Sequence, residues 1–188
     1  SSSEHLVVEH DVVVLGSGAA GLTAALAAAQ TGADVAVFEK ADLLGGSSAI
    51  SGGVPWIPLN HHQDDAGIAD SRDDALRYLA SLSMDRMDPA LAAAFVDNGR
   101  ETVQWLEDTT DLRFSLLPRY PDYHPENPGG KPDGGRSLDP GLFSFRQLGP
   151  WADRVARPRR SAHLRITDTT LGGGTGYLPD DELQRRVD

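Results

Sequence analysis

Apolar residues bunch near the start of the chain and then recur at helical spacing. Asp11–Leu15 (DVVVL) is a β-branched run of the kind found in a parallel strand buried on both faces. From about Gly18 to Gln30 nearly every residue is Ala or Leu, both strong helix formers, and Gly32 stops that helix. Val35–Phe38 then forms a second strand with Glu39 at its tip. Val12–Ala33 carries no charge and is long enough to span a bilayer. Gly16, Gly18, Gly21 and Gly32 punctuate it, Ser17, Thr23, Gln30 and Thr31 dilute it, and no basic flank precedes it, so it reads as a soluble core element with no membrane span.

Further along, Val54–Asn60 is apolar but broken by Pro55 and Pro58, which predicts an extended segment with Trp56 and Ile57 in a core. Ser71 with Asp74 three residues on is a variant capping box. The helix it opens sets Leu76, Leu79 and Leu82 on one side and leaves Arg72, Arg77 and Arg86 for water. Asp88-Pro89 starts another, along which Leu91, Phe95, Thr102, Val103 and Leu106 hold helical spacing with Gly99 as a weak point. Leu112–Leu116 alternates as a half-exposed strand. Residues 118–141 are rich in Pro and Gly and carry Tyr120 and Tyr123, the composition of a stiffened functional loop. Arg154, Arg157, Arg159, Arg160 and Arg165 read as a solvated basic face, and Gly172–Gly176 as a linker before the tail.

The candidate chemistry lies at the first turn. Gly16-Ser17-Gly18-Ala19-Ala20-Gly21 has G-x-G-x-x-G spacing between a strand and a helix, with Glu39 ending the next strand. Gly16 permits the turn, Gly18 lets a pyrophosphate reach the backbone, and Gly21 lets helix and strand pack closely. The helix start offers free N–H groups and partial positive charge to phosphate, and Glu39 can accept ribose hydroxyls. After Lys40 come two glycine doublets, Gly45-Gly46 and Gly52-Gly53, with Ser47, Ser48 and Ala49 between them. Such a second backbone segment suits a long rigid cofactor and points to FAD rather than NAD.

Composition narrows the classes. A net charge of −11 over 188 residues argues against nucleic acid or an anionic membrane as partner. With no cysteine there is no disulfide, thiolate nucleophile or Cys-ligated metal, so redox work falls to a bound cofactor. His61-His62 with Asp64 and Asp65 matches no common metal spacing, and no metal is expected. Ser1–His5 has no basic or apolar leader character, which makes cytoplasm the default location.

The stretch from Asp11 to Gly53 resembles the fumarate reductase/succinate dehydrogenase-type flavoproteins, the FAD-dependent oxidoreductase 2 family. GGVPWIPLNHH and RYPDYHPENPGGKPDGGRSLDP are most similar to its 3-ketosteroid dehydrogenase branch, so the likeness runs from about residue 10 to 150. The resemblance implies an α/β fold with a Rossmann-like β-α-β unit of glutathione reductase type over residues 1–65. The start of an α+β substrate domain follows over 66–170, then a linker and tail over 171–188. It implies FAD near Ser17, Ala20, Glu39, Lys40, Ser47, Ser48, Gly52 and Gly53. The resemblance implies non-covalent FAD, since relatives that attach flavin covalently carry a histidine in this stretch and none lies between Asp42 and Gly53. It also implies an active-site tyrosine, Tyr123 or, second, Tyr120.

The activity so implied is desaturation beside a ketone, in which a tyrosinate takes a proton and the neighbouring carbon gives hydride to flavin N5. The partners are a steroid or other ketone and an external electron acceptor. With two parallel strands legible, the fold reads as incomplete and the chain as the N-terminal portion of a longer flavoprotein, inactive alone. A fumarate or succinate enzyme and an inactive nucleotide-binding fragment are the competing readings.

Overall fold

A computed structural model describes residues 7–141 and 143–157. The chain is a small mixed α/β structure that divides into two compact units. One comprises the residues up to Gly53 together with those from Ser144, and the other comprises Val54–Phe143. The division falls before the extended segment Val54–Asn60, where the sequence places it at residue 65.

In the first unit β1 (Val12–Leu15) and β2 (Val35–Phe38) pair in parallel, Val12 opposite Val35 and Leu15 opposite Phe38, joined through α1 (Ala19–Gln30). The positions match the expected strand–helix–strand, but the strands are covered on one side only. Val12 and Val14 are half-buried, whereas Leu15 is 82 % exposed and Val13 and Phe38 lie open as well. The second glycine segment is not plain loop: Gly46–Ile50 turns once as α2. A 3-10 stretch, Phe145–Arg154, brings the chain back to it, and Val155 forms a parallel bridge with Leu44. Leu44 N–H donates to Arg154 O at 2.7 Å and Ala156 N–H to Leu44 O at 2.9 Å. Residues 144–157 therefore pack with the first unit. Arg154 lies over Trp151 and Arg157 over Phe145. Arg159, Arg160, Arg165, Gly172–Gly176 and the tail lie outside the described residues.

The second unit sets α3 (His61–Asp65), α4 (Arg72–Leu82) and α5 (Pro89–Thr109) with an antiparallel pair, β3 (Ser115–Pro118) and β4 (Gly134–Asp139). Both long helices begin at the caps the sequence predicts. Ser71 Oγ accepts from Asp74 N–H, and Asp88 Oδ1 accepts from Ala90 and Leu91 N–H. Their buried stripes match the predicted ones only in part: Val103 is buried and Leu76, Leu79 and Leu106 are half-buried. Ala75 and Tyr78 face inward on α4, and Ala92, Val96, Gly99 and Val103 on α5, while Leu91 is 70 % exposed. Gly99 is a packing point rather than a weak one, since a Cβ there would sit 3.1 Å from Ile57 Cγ2. Small residues at spacings of four and three let α5 come close, so backbone proximity rather than side-chain size selects the face.

β4, fully buried, lies inside what the sequence presents as a Pro/Gly loop. Gly134 opens it with φ +75°, and a Cβ there would fall 2.3 Å from Tyr120 O, so the turn admits only glycine. Pro55–Ile57 runs along the other edge of β4, with Leu138 N–H donating to Pro55 O and Ile57 N–H to Arg136 O.

At the centre of this unit Arg136 has no exposed surface. Its Nε and Nη2 donate to Asp70 at 2.9 and 2.7 Å, and its Nη1 donates to Asp122 Oδ2 and Gly129 O at 2.9 Å. The guanidinium lies 5.3 Å from the centroid of Trp56 and 5.8 Å from that of Tyr78. Burial alone would raise the Asp70 carboxyl, but the hydrogen bonds and charge of Arg136 carry it below its ordinary value. Arg136→Met strands two buried carboxylates and is expected to cost about 3–5 kcal/mol. Denaturant unfolding followed by tryptophan fluorescence checks this, and Asp70→Asn with Asp122→Asn in the same chain should restore part of the loss.

Candidate functional site

The first turn contains the geometry its spacing predicts. Gly16 has φ +103°, and its N–H donates to Phe38 O at 2.7 Å, closing β1 onto β2. A Cβ on Gly21 would lie 2.1 Å from Gly16 O and 3.3 Å from Val14 Cγ1, so helix and strand meet in van der Waals contact only because Gly21 has none. The first intrahelical bond runs from Leu22 N–H to Gly18 O. Ala19 N–H is taken by Ser48 Oγ at 3.1 Å, which leaves the N–H groups of Ala20 and Gly21 at the positive end of the helix for an outside acceptor.

Ser17 ties the parts together. Its side chain is buried, donates to Glu39 Oε2 at 2.6 Å and accepts from Gly45 N–H at 2.8 Å. Ser17 N–H donates to the same Oε2 at 2.9 Å, and Ala41 N–H to Oε1 at 3.0 Å. These donors, Ser17 Oγ–H first, hold the Glu39 carboxyl at about 2, against an ordinary 4.5. Glu39 is thus an anion throughout the ordinary pH range, with acceptor capacity left for hydroxyl donors. The Ser17 hydroxyl, by contrast, is used up inside the protein.

Gly45 (φ +102°) and Gly46 (φ +51°) bring the second segment against the first, and a Cβ on Gly46 would lie 3.8 Å from Gly18 Cα. Ser47 and Ser48 are exposed and Ala49 half-buried. Because Ser48 Oγ accepts from Ala19, its own proton remains available to a ligand oxygen. Lys40, Gly52 and Gly53 are exposed, and nothing lies within 4 Å of a Cβ built on Gly52. The structure thus gathers Gly16–Gly21, Glu39 and Gly45–Ala49 around one joint. The pairing of Leu44 with Val155, which pins that joint from behind, had no signature in the sequence.

Tyr120 and Tyr123 belong to the second unit. They flank an apolar hollow of about 490 Å³ floored by Trp56, Tyr78, Leu79 and Leu82. Tyr123 is 85 % exposed. Burial first, and then the neighbouring Tyr123 phenol, push the Tyr120 phenol above its ordinary value. Asp122, between them, is buried and fixed by Arg136, by Trp56 Nε1–H at 2.7 Å and by Lys131 N–H at 3.0 Å. Asp122 was not foreseen, since an acid in a Tyr-Pro-Asp-Tyr turn reads as a solvated turn residue.

Since the folded Glu39 value lies below the unfolded one, the joint contributes stability above about pH 4.5 that is lost as pH falls toward 2. Ser17→Ala removes the main cause and should move the Glu39 titration back toward 4.5, measured on its side-chain carboxyl by carbon NMR. A titration unmoved by the substitution would contradict the assignment.

The family model described as FAD binding domain matches residues 11–178. The chain is 44 % identical over 179 residues to 4-oxocyclohexanecarboxylate 2-dehydrogenase of Sinomonas cyclohexanicum, covering 95 % of this chain and 31 % of that protein. It is 45 % identical over 143 residues to 3-oxosteroid 1-dehydrogenase of Mycobacterium tuberculosis, covering 76 % of this chain and 25 % of that protein. Among solved structures it is similar to 3-ketosteroid delta1-dehydrogenase of Sterolibacterium denitrificans in complex with 1,4-androstadiene-3,17-dione. That likeness has a TM-score of 0.68 at 36 % identity, over 79 % of this chain and 26 % of the other. The chain spans between a quarter and a third of the length of these relatives. The glycine turn, the anchored carboxylate and the second glycine segment thus lie within a stretch matched as a whole, and the chain belongs to the FAD binding domain family.

Proposed function

We propose that this chain is the flavin-holding portion of an FAD-dependent dehydrogenase that desaturates a C–C bond beside a ring ketone. The observation that carries the reading is the joint at Ser17, where the glycine turn, Glu39 and the second glycine segment meet. The donor set suits a dinucleotide. The free N–H groups of Ala20 and Gly21 and the Ser48 hydroxyl would bind phosphate oxygens, and the ionised Glu39 would accept ribose hydroxyls. On this reading β1–α1–β2 opens a Rossmann-like domain of glutathione reductase type. Lys40, Ser47, Gly52 and Gly53 would border the non-covalently held cofactor.

The substrate class rests on the relatives, whose names give a 3-oxosteroid and a 4-oxocyclohexanecarboxylate, both cyclic ketones undergoing dehydrogenation. Bound FAD would supply the hydride acceptor. Tyr123 would be the proton-accepting residue contributed by this chain. Tyr120, the second candidate for that role, would line the same hollow, and the Asp122–Arg136 bond would hold the turn that carries both. The hollow beside them has the apolar floor that a steroid or cyclohexanone ring needs.

Gly18→Val tests the cofactor reading. A Cβ at Gly18 meets nothing closer than 3.7 Å, so the variant folds, while its branched side chain covers the helix start. FAD binding, followed by quenching of flavin fluorescence, should weaken by roughly tenfold or more. Equal affinity in both proteins would count against it. In the longer protein that contains this chain, Tyr123→Phe should lower dye reduction with a 3-oxosteroid or 4-oxocyclohexanecarboxylate by about 10²-fold or more, leaving FAD content unchanged.

A further inference from the structure

His61 and His62 start α3, set there by Asn60, whose Oδ1 accepts from Gln63 N–H and whose Nδ2 donates to Ile57 O and Gly135 O. The ring centroids lie 4.1 Å apart with the planes tilted by 35°, and both rings turn their Nε2 atoms to one carboxylate, Glu107, near the end of α5. His61 Nε2 lies 2.8 Å from Oε2 and His62 Nε2 3.1 Å from Oε1. Each group has a ligand atom within 4.8 Å of the other two. Phe114 N–H donates to Glu107 Oε1 at 2.8 Å, which fixes the carboxylate from behind. The Nδ1 of His61 is buried without a hydrogen-bond partner, so that ring is held through Nε2 alone.

We infer that His61, His62 and Glu107 form a binding site for a divalent metal ion of the zinc class, outside the flavin site. Two imidazole nitrogens and one carboxylate are a borderline ligand set of the kind zinc accepts, with water completing a tetrahedron. Zinc–ligand bonds of about 2.0–2.2 Å place neighbouring ligand atoms about 3.3 Å apart. The two His–Glu separations, 2.8 and 3.1 Å, run to different oxygens of Glu107, and the three ligand atoms lie within 4.8 Å of one another, so modest side-chain rotations bring them to that spacing. All three side chains are half-buried, so they are positioned by the fold yet leave a water-accessible fourth direction. The adjacent acids Asp64 and Asp65 are not ligands, and Asp64 is paired with Arg100 at 2.6 Å. The His-His-Asp-Asp run therefore fits no metal spacing as a sequence, because the third ligand comes from another helix.

The test titrates the chain, stripped with EDTA, with Zn²⁺ and with Co²⁺. One Zn²⁺ per chain, a Co²⁺ adduct with the intense visible bands of four-coordination, and a rise in melting temperature with Zn²⁺ are expected. His61→Asn and His62→Asn should each weaken Zn²⁺ binding by roughly tenfold or more, and Glu107→Gln likewise. His124→Asn, at an exposed histidine paired only with Glu126, should leave it unchanged. Zn²⁺ binding of equal strength in the His61→Asn/His62→Asn double variant, or no visible Co²⁺ band, would overturn the site. Should Glu107→Gln unfold, the two histidine variants decide the matter by themselves. None of these readouts involves flavin, so failure here and failure of the flavin reading are distinguishable.

Discussion

A buried serine hydroxyl holds the first unit together. Ser17 donates to Glu39 and accepts from Gly45, so one oxygen joins the end of β1, the end of β2 and the second glycine segment. Each segment is glycine-rich or short and would wander without it. The hydroxyl is suited to this because it donates and accepts at once, and because its small size fits beneath a turn that Gly16 alone can make. The return of the chain through Val155 closes the back of the same joint.

The second unit repeats the logic with charge in place of a hydroxyl. Arg136 satisfies Asp70, which opens α4 through Ser71, and Asp122, which lies in the tyrosine turn. A buried ion pair adds little net stability compared with apolar packing, but it is exacting about geometry. Arg136 therefore serves to specify where the Tyr120–Tyr123 turn sits against Trp56 and Tyr78, more than to strengthen the core.

Local signals were legible and long-range ones were not. The strand–turn–helix–strand beginning could be read because Gly16, Gly21 and the Val runs each impose a backbone geometry within a few residues. The caps at Ser71 and Asp88 could be read for the same reason. The inward faces of α4 and α5 were read only in part, because leucine spacing predicts burial only when the partner surface is known. Here the partner is the Trp56–Ile57 segment, against which Gly99 packs and on whose Trp56 ring Phe95 stacks at 6.2 Å, while Leu91 is left exposed. β4 was invisible because Gly-Gly-Arg-Ser-Leu-Asp has neither alternation nor β-branched residues; its burial comes from Arg136, a residue type that usually argues for a surface. The partner of the His61-His62 pair lay some distance away in sequence and could not be inferred from spacing.

The low proton affinity of Glu39 has a practical corollary. Its Ser17 and backbone donors keep it charged until strong acid. The knot of donors around it therefore stays tied through mild acidification and comes undone only in strong acid.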